Sequence, residues 1–227
     1  MSFSQEVIFK KVPKHLHQFI ATQDYDLYYN ARDQAVWRYV MRQLSHQLKS
    51  SAHPIYNEGL EKTGISIEKI PSIEEMNKRL SKLGWMAIVV DGFVPPQAFM
   101  ELQALKVLAI ALEMRPIEQI LYTPAPDILH ESAGHAPMLY DPEYSVYLQR
   151  CGEIGVKAMF TKQDKAVYEA IRHLSIIKGY PSTTKEEIKQ AEEDLNNKIN
   201  SITVLSESAL LTRLHWWTVE YGLVGTV

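Results

Sequence analysis

Hydrophobic and polar residues alternate along most of this chain with the period of an amphipathic helix. Between Asp33 and Leu48 apolar residues recur mostly at steps of three and four, which places them on one helix face, with Asp33 as the expected N-cap. A second helix is expected after Ser72, because Ser72 and Glu75 have the spacing of a capping box. Gly84 is the natural end of that helix. The pattern therefore predicts two helices before residue 85.

Two short segments break this period and predict strands. Residues 85–90 form an unbroken apolar run that ends at the turn pair Asp91-Gly92, as expected for a short strand. Residues 117–122 are a second candidate strand.

The rest of the chain predicts helices. One follows Pro96 and is limited by Pro116, which puts Arg115 at or near a helix end. The others cover His130 to Pro137, Glu143 to Arg172, Lys185 to Asn200, and the chain from about Glu207 to its end. No repeat, low-complexity tract or linker divides the chain. The predicted fold is a single domain over residues 1–227, mostly α with a few short β-strands.

Composition and charge exclude several classes of protein. The 227 residues carry 24 basic and 27 acidic side chains, so no basic excess is present for nucleic-acid binding. No apolar stretch is long enough for a signal peptide or a membrane span. The single cysteine, Cys151, fits a reducing compartment. We expect a cytoplasmic protein with no nucleic-acid or membrane partner.

Candidate chemistry concentrates in residues 122–138, YTPAPDILHESAGHAPM. His130 and His135 are five residues apart, whereas the zinc hydrolase pattern H-E-x-x-H places its histidines four apart. Five steps on a regular helix separate two side chains by about 140°, too far for easy ligation of one ion. Gly134 and Pro137 permit a distorted helix, which would bring the two rings together. A zinc hydrolase using His130, Glu131 and His135 is therefore a weaker alternative.

Two neutral imidazoles and one carboxylate make the facial arrangement that leaves open positions on Fe(II). Composition and spacing do not choose the carboxylate. The candidates are Asp127, Glu131, Asp141, Glu143, Glu153 and Glu220.

The stretch from Tyr122 to Pro137 resembles the iron-binding signature of the tetrahydrobiopterin-dependent aromatic amino acid hydroxylases. Residues 215–223, HWWTVEYGL, resemble the segment that supplies the third iron ligand in that family. Arg115 and Phe99 also stand at the positions of the family's carboxylate-binding arginine and pterin-stacking phenylalanine. A weaker resemblance runs from about residue 28 to residue 90.

The resemblance implies a metal site and a substrate site. His130, His135 and Glu220 would bind Fe(II). The substrate, a free aromatic amino acid, would be held by four further residues: its ring between Trp216 and Pro126, its α-carboxylate on Arg115, and a hydrogen bond from Thr123.

The resemblance also implies a site for tetrahydrobiopterin or a related tetrahydropterin. Phe99 would stack on the pterin ring, and Gly92, Phe93 and Val94 would supply backbone groups. Glu131, beside the iron, would contact the pterin. Asp127 would orient Arg115 or a ligand histidine.

Each of these residues also has an ordinary structural explanation. Phe99 on an apolar helix face and Trp216 beside Leu214 are typical of packing residues. Arg115 before a proline is typical of a helix C-terminus, where a positive charge complements the dipole. The resemblance, and not any single residue, favours the functional interpretation.

The sequence departs from the family's pattern in several places. His135 and Glu220 are 85 residues apart, about twice the usual interval, and the excess at residues 163–205 is predicted to be a helical insertion. Surface decoration, a lid and a partner surface are its possible roles. Ala125 replaces an acidic residue, and His215 replaces a tyrosine close to the iron. The chain ends at Val227, where we expect the family's C-terminal pocket wall to be missing.

These observations predict an Fe(II)- and tetrahydropterin-dependent monooxygenase that uses O₂ to hydroxylate a free aromatic amino acid, with phenylalanine favoured. The alternative from another class is a metal-binding or interaction module of the same fold without turnover. The sequence does not choose among the aromatic amino acids, and a monomer is the default.

Overall fold

The computed structural model describes residues 5–121 and 123–220, and these residues are mostly helical. The α-helices within them are α1 (Gln5–Lys11), α2 (Tyr25–Tyr28), α3 (Ala31–Ser51), α4 (Pro54–Thr63), α5 (Ile73–Leu80), α6 (Pro96–Ala104), α7 (Pro142–Gly155), α8 (Lys162–Gly179), α9 (Lys185–Asn200) and α10 (Glu207–His215). Two π-helices, Leu129–His135 and Trp216–Glu220, and several short 3-10 helices complete the helical part. The described helices lack the combination of length and apolar character that a bilayer crossing requires.

Two short parallel strands form the sheet of the described residues. Strand β1 (Met86–Val90) pairs with β2 (Val107–Ala111) in a register that places Met86 opposite Val107. Helix α6 connects them, as a parallel pair requires a crossover. Every residue of both strands is buried, which explains their uniformly apolar sequence. The predicted fold class, mostly α with a few short strands, is confirmed.

The sheet separates two hydrophobic clusters. Alternate strand residues such as Val89 and Ile110 face a large cluster that includes Trp37 and Met76. The other face, represented by Ile88, packs on a smaller cluster with α6 and the N-terminal helices. The functional residues follow the carboxyl ends of both strands, the usual edge for ligand sites beside parallel strands.

The helix expected between Pro96 and Pro116 is wrong in its second half. Helix α6 ends at Ala104, and Lys106 has a positive φ of 59° that breaks the helical backbone. Residues 107–111 are then a strand. The period of a fully buried apolar run does not distinguish a strand from a buried helix. Pairing with β1 makes these residues a strand. Arg115 therefore follows a strand and is not at a helix end.

The second candidate strand is also wrong. Ile117–Gln119 is a 3-10 turn that follows Pro116, while Tyr122 lies outside the described residues. A short apolar run after a proline does not distinguish a strand from a tight turn, because no pairing partner is visible in the sequence.

Two predicted caps have different outcomes. Ser72 caps α5 as expected, with the Glu75 N–H donating to its hydroxyl oxygen at 3.1 Å. Helix α3 begins earlier than expected: Asn30 is its N-cap, and Asp33 is the third helical residue, whose carboxylate accepts the Asn30 N–H. Both residue types suit an N-cap, so spacing alone could not separate them. Gly84, with φ of 77°, ends a 3-10 turn that extends α5.

Helices α8 and α9 form a hairpin within the segment predicted to be an insertion. Each begins with a complete capping box, at Thr161 with Asp164 and at Thr184 with Glu187. That residues 163–205 are an insertion relative to the family stays a prediction.

Candidate active site

The two histidines of the 122–138 segment meet because the helix carrying them is a π-helix. In Leu129–His135 the backbone repeat is i to i+5, so residues five apart lie over one another. His130 Nε2 and His135 Nε2 are 3.0 Å apart. A 3-10 helix, Ala136–Tyr140, follows directly, with Pro137 as its second residue. A regular α-helix would keep residues five apart on different faces. The π-helix brings them onto one face and so explains the spacing of His130 and His135.

Glu220 completes the cluster from the far end of the chain. It is the last described residue and closes the second π-helix, Trp216–Glu220. Its Oε2 lies 3.2 Å from His130 Nε2 and 3.6 Å from His135 Nε2. One ligand atom from each residue falls within 4.8 Å of the other two, a group able to hold one metal ion. Two imidazoles and a carboxylate suit Fe(II), so this donor set fits the implied metal.

The charges in this cluster are strongly coupled. Burial alone would raise the pKa of Glu220, but hydrogen bonds from His130 and His135 outweigh it and hold that pKa far below its ordinary value. The hydrogen bond to Glu220 raises the pKa of His130, against the effect of burial. Glu220 is therefore an anionic ligand ready for a cation.

The pKa of Glu131 shifts in the opposite direction to the pKa of Glu220. Burial raises the pKa of its carboxyl group, and the opposing effects of His135 and His130 do not cancel that increase. A raised pKa favours the protonated form of a carboxyl group, and that form can donate a hydrogen bond as well as accept one.

Asp127 fixes both Arg115 and the start of the π-helix. Its carboxylate accepts from Arg115 Nε at 2.7 Å and from Nη2 at 3.0 Å, a bidentate pair. It also accepts the backbone N–H groups of Arg115 and His130. The predicted role of Asp127 named either Arg115 or a histidine as its partner. In the structure it contacts both residues, and reaches His130 through the backbone.

A cavity of about 440 Å³ opens beside Glu131. It is lined by eight of the residues that the sequence assigned to ligands: Gly92, Phe93, Val94, Phe99, Arg115, Thr123, Pro126 and Glu131. The cavity is thus bordered by the loop after β1, helix α6 and the loop after β2. Residues scattered over 40 positions meet because both strands end at this edge.

Trp216, unlike the eight residues above, lies away from the cavity. It does not line this cavity, and its side chain is 54% exposed. Its predicted contact with the substrate ring stays a prediction. Thr123 lines the cavity, but its hydroxyl already donates to the Ala125 carbonyl at 2.9 Å. Tyr221 and Leu223, which belong to the second resembling segment, lie outside the described residues.

His215 is buried against α6. Its Nε2 lies 3.1 Å from Gln103 Nε2, and its ring meets Phe99 edge to face at 5.9 Å. Burial lowers the pKa of His215 to about 4. The imidazole is therefore neutral near pH 7 and supports the residue predicted to stack on the pterin.

Among the cavity-lining residues that sequence reasoning missed are Glu113 and four residues at or just after the end of α8. Glu113 stands two residues before Arg115, and burial raises the pKa of its carboxyl group, assisted by Asp91. The sequence offers no signal for Glu113, because the apolar pattern of residues 107–112 predicts a helix there. The others come from α8 and the residue after it: Ser175, Ile176, Gly179 and Tyr180. No sequence pattern pointed to them, because α8 is distant in the chain.

Comparisons with known proteins identify the family of this chain. A sequence profile described as "Biopterin-dependent aromatic amino acid hydroxylase" matches residues 18–177. The chain is 28% identical over 207 residues to phenylalanine-4-hydroxylase of Mesorhizobium japonicum, covering 91% of this chain and 58% of that protein. The chain therefore spans little more than half the length of that relative.

Solved structures show the same fold. The chain matches Chromobacterium violaceum phenylalanine hydroxylase with bound iron(III) and 7,8-dihydrobiopterin at a TM-score of 0.61 and 26% identity, covering 70% of this chain and 62% of that one. An iron- and phenylalanine-bound structure of the enzyme from the same organism matches at a TM-score of 0.57 and 26% identity, covering 72% and 56%.

Proposed function

This chain belongs to the family of biopterin-dependent aromatic amino acid hydroxylases, and from that premise we propose that it hydroxylates the ring of a free aromatic amino acid, phenylalanine first, with Fe(II), O₂ and a tetrahydropterin. The observation that carries the proposal is the convergence of His130, His135 and Glu220 beside a cavity that Arg115 and Phe99 line. The Chromobacterium violaceum structures with dihydrobiopterin and with phenylalanine support the same two ligands.

His130, His135 and Glu220 would hold the iron on one face. Iron held by this ligand set would, with the reduced pterin, supply the oxygen chemistry. The protein's own contribution is the preorganised ligand set: Glu220 is anionic before the metal arrives, and the π-helix fixes the two imidazoles at the required spacing.

Arg115 would bind the α-carboxylate of the amino acid. Asp127 occupies its Nε and one N–H of Nη2, and the Ile120 carbonyl lies 3.5 Å from Nη1. Within the described residues, N–H groups on Nη1 and Nη2 are left that can donate to a carboxylate. Because the guanidinium is already fixed, little side-chain entropy is lost on binding.

Phe99, Gly92 and Glu131 would serve the pterin. The Phe99 ring offers a flat apolar face, and the loop of Gly92 offers backbone groups at the cavity edge. The Glu131 carboxyl group, whose pKa burial raises, lines the cavity and would form a hydrogen bond with a pterin nitrogen or oxygen.

The direct test is a turnover assay. The chain is loaded anaerobically with Fe(II), then given oxygen, tetrahydrobiopterin and phenylalanine, tyrosine or tryptophan in turn, and products are identified by mass spectrometry. We expect a ring-hydroxylated product, most from phenylalanine. Iron-loaded protein that gives no product with any of the three would favour the alternative of a metal-binding module without turnover.

Two variants test the metal site separately from turnover. Glu220→Ala and His130→Ala should lose most of the bound iron, while Glu118→Ala, an exposed carboxylate paired with Arg32, should keep it. Unchanged iron content in both site variants would disprove the three-residue ligand set.

A further inference from the structure

The C-terminal half of α8 forms part of the cavity described above. Ser175, Ile176 and Gly179 line it, followed by Tyr180 just after the helix. Residues 176 and 179 lie one and four positions after Ser175, so the three residues share one side of the helix. This side of α8 presents two small residues, Ser175 and Gly179, and one large apolar residue, Ile176, to the cavity.

The same helix is tied to the loop after β1. Tyr168 lies seven residues before Ser175, on the same side of α8, and its hydroxyl donates to the Phe93 carbonyl at 3.3 Å. Ala170 is 3% exposed. Helix α8 therefore contacts the Gly92–Val94 loop through Tyr168 and is buried at Ala170, so it is not a free surface decoration.

The rest of the hairpin holds α8 in this position. Lys178 Nζ on α8 pairs with Glu192 Oε1 on α9 at 2.8 Å. Before α8, the Met159 N–H donates to the Glu207 carboxylate at 2.9 Å, and the Ser208 N–H donates to the Met159 carbonyl at 3.2 Å. The entry to the hairpin is thus attached to α10, which leads to Glu220.

We propose that the face of α8 formed by Tyr168, Ser175, Ile176 and Gly179 is a specificity-determining wall of the pterin subsite. This wall limits the size of the flat heteroaromatic ring that binds beside Phe99. The inference rests on the proposed function. It assigns the predicted insertion a role in the binding site itself.

The contacts favour the pterin over the amino acid as the ligand of this wall. Tyr168 holds the carbonyl of Phe93, which belongs to the loop assigned to the pterin. Arg115, assigned to the amino acid, has its described hydrogen bonds with Asp127 and Ile120 and none with α8. Ile176 and the small residues beside it suit the face or edge of a flat ring.

Gly179 provides a sharp test, because a Cβ built there meets no atom within 4 Å. Gly179→Leu should therefore fold and place its side chain in the cavity. Ile176→Ala instead removes wall surface. His173→Leu, on the same helix but outside the cavity lining, is the matched control.

The measurement is the affinity for 7,8-dihydrobiopterin by titration calorimetry, with iron content and thermal unfolding recorded for each protein. We expect Gly179→Leu to weaken binding by about tenfold or more, Gly179→Ala less, and Ile176→Ala by about threefold to tenfold. His173→Leu should stay within about twofold. Iron content should be unchanged in all four, and none of them should unfold at a lower temperature than the unmodified protein.

Three other outcomes are decisive. If the unmodified protein binds iron but not dihydrobiopterin, the proposed function fails, and the wall proposal fails with it. If it binds dihydrobiopterin and the folded Gly179→Leu and Ile176→Ala proteins bind equally well, only the wall proposal is overturned. The wall proposal is also overturned if these variants lose phenylalanine affinity while dihydrobiopterin affinity is unchanged.

Discussion

Asp127 is the residue on which the amino acid side of the cavity depends. Its carboxylate is 2% exposed and accepts four hydrogen bonds, two from the Arg115 side chain and two from backbone N–H groups. The ion pair is buried, so removing one partner leaves the other charge uncompensated.

Replacing Asp127 should therefore destabilise the fold. We expect Asp127→Ala to lower the free energy of unfolding by about 3–5 kcal/mol, because Arg115 would remain buried without its partner. Urea unfolding followed by circular dichroism measures the change. Glu118→Ala, which breaks the exposed pair with Arg32, should cost less than about 1 kcal/mol. Equal losses in the two variants would contradict the buried role.

His215 predicts a pH dependence of stability. Its pKa is about 4 in the folded protein against an ordinary value of 6.5, so the unfolded chain binds the proton first as pH falls. The contribution of His215 to the free energy of unfolding is fully present above about pH 6.5. It is lost progressively as the pH falls from about 6.5 to about 4.

The matching variant is His215→Gln, which keeps a polar partner for Gln103 but does not titrate. Between pH 6.5 and 5.5 the unmodified protein should lose up to about 1.4 kcal/mol more unfolding free energy than the variant. Urea unfolding at the two pH values gives this difference. Parallel losses would show that His215 is protonated without penalty in the folded state.

At the scale of elements, close helix packing fixes the distance between α6 and α7. These two helices meet at Gly152, where a Cβ would overlap the backbone nitrogen of Ala104 and the carbonyl oxygen of Met100. Backbone atoms cannot move aside as a flexible side chain can. Helix α6 carries Phe99, so this contact also positions one wall of the cavity.

A single methyl group at Gly152 should separate these helices. We expect Gly152→Ala to destabilise the protein by about 1–3 kcal/mol through overpacking, despite the higher helix propensity of alanine. Gly179→Ala, where a Cβ meets open space, should be neutral or slightly stabilising. Thermal unfolding of both variants tests this. The overpacking explanation fails if Gly152→Ala is as stable as Gly179→Ala.

The π-helices show the limit of element prediction. Sequence predicted a helix through His130 and His135, and the distortion that Gly134 and Pro137 permit. It did not specify the i to i+5 repeat that brings the two Nε2 atoms to 3.0 Å. Local residues allow several backbone repeats, and contacts with the surrounding fold select one of them.

At the scale of the whole molecule, the ligand set joins two distant parts of the chain. The histidines come from the segment after the sheet, and Glu220 comes from the far end of the described residues, beyond the α8–α9 hairpin. A metal bound here crosslinks these parts in the folded state only. Metal affinity therefore becomes folding stability.

Fe(II) should raise the unfolding temperature under anaerobic conditions. At a free concentration about 100 times Kd, the expected gain in unfolding free energy is about 2.7 kcal/mol. Glu220→Ala should lose most of this gain, and the surface variant Glu143→Ala should retain it. Differential scanning calorimetry measures the shift. An equal shift in all three proteins would place the stabilising metal elsewhere.

The sequence by itself determined the helical fold class, the caps of α5 and the first strand, because these depend on local period and turn residues. It also provided the identity of the three candidate ligands, since the resemblance pairs His130 and His135 with Glu220. These features are local in the chain or are carried by recognisable motifs.

Only the tertiary structure decided which residues meet. The sequence predicts a helix for the residues of strand β2, because a buried apolar run has no distinguishing period. Only pairing with β1 identifies them as a strand. Glu113 and the α8 face line the cavity, while Trp216 lies outside that lining. The physical reason is that burial and contact between distant segments depend on how elements pack, and no local spacing records that packing.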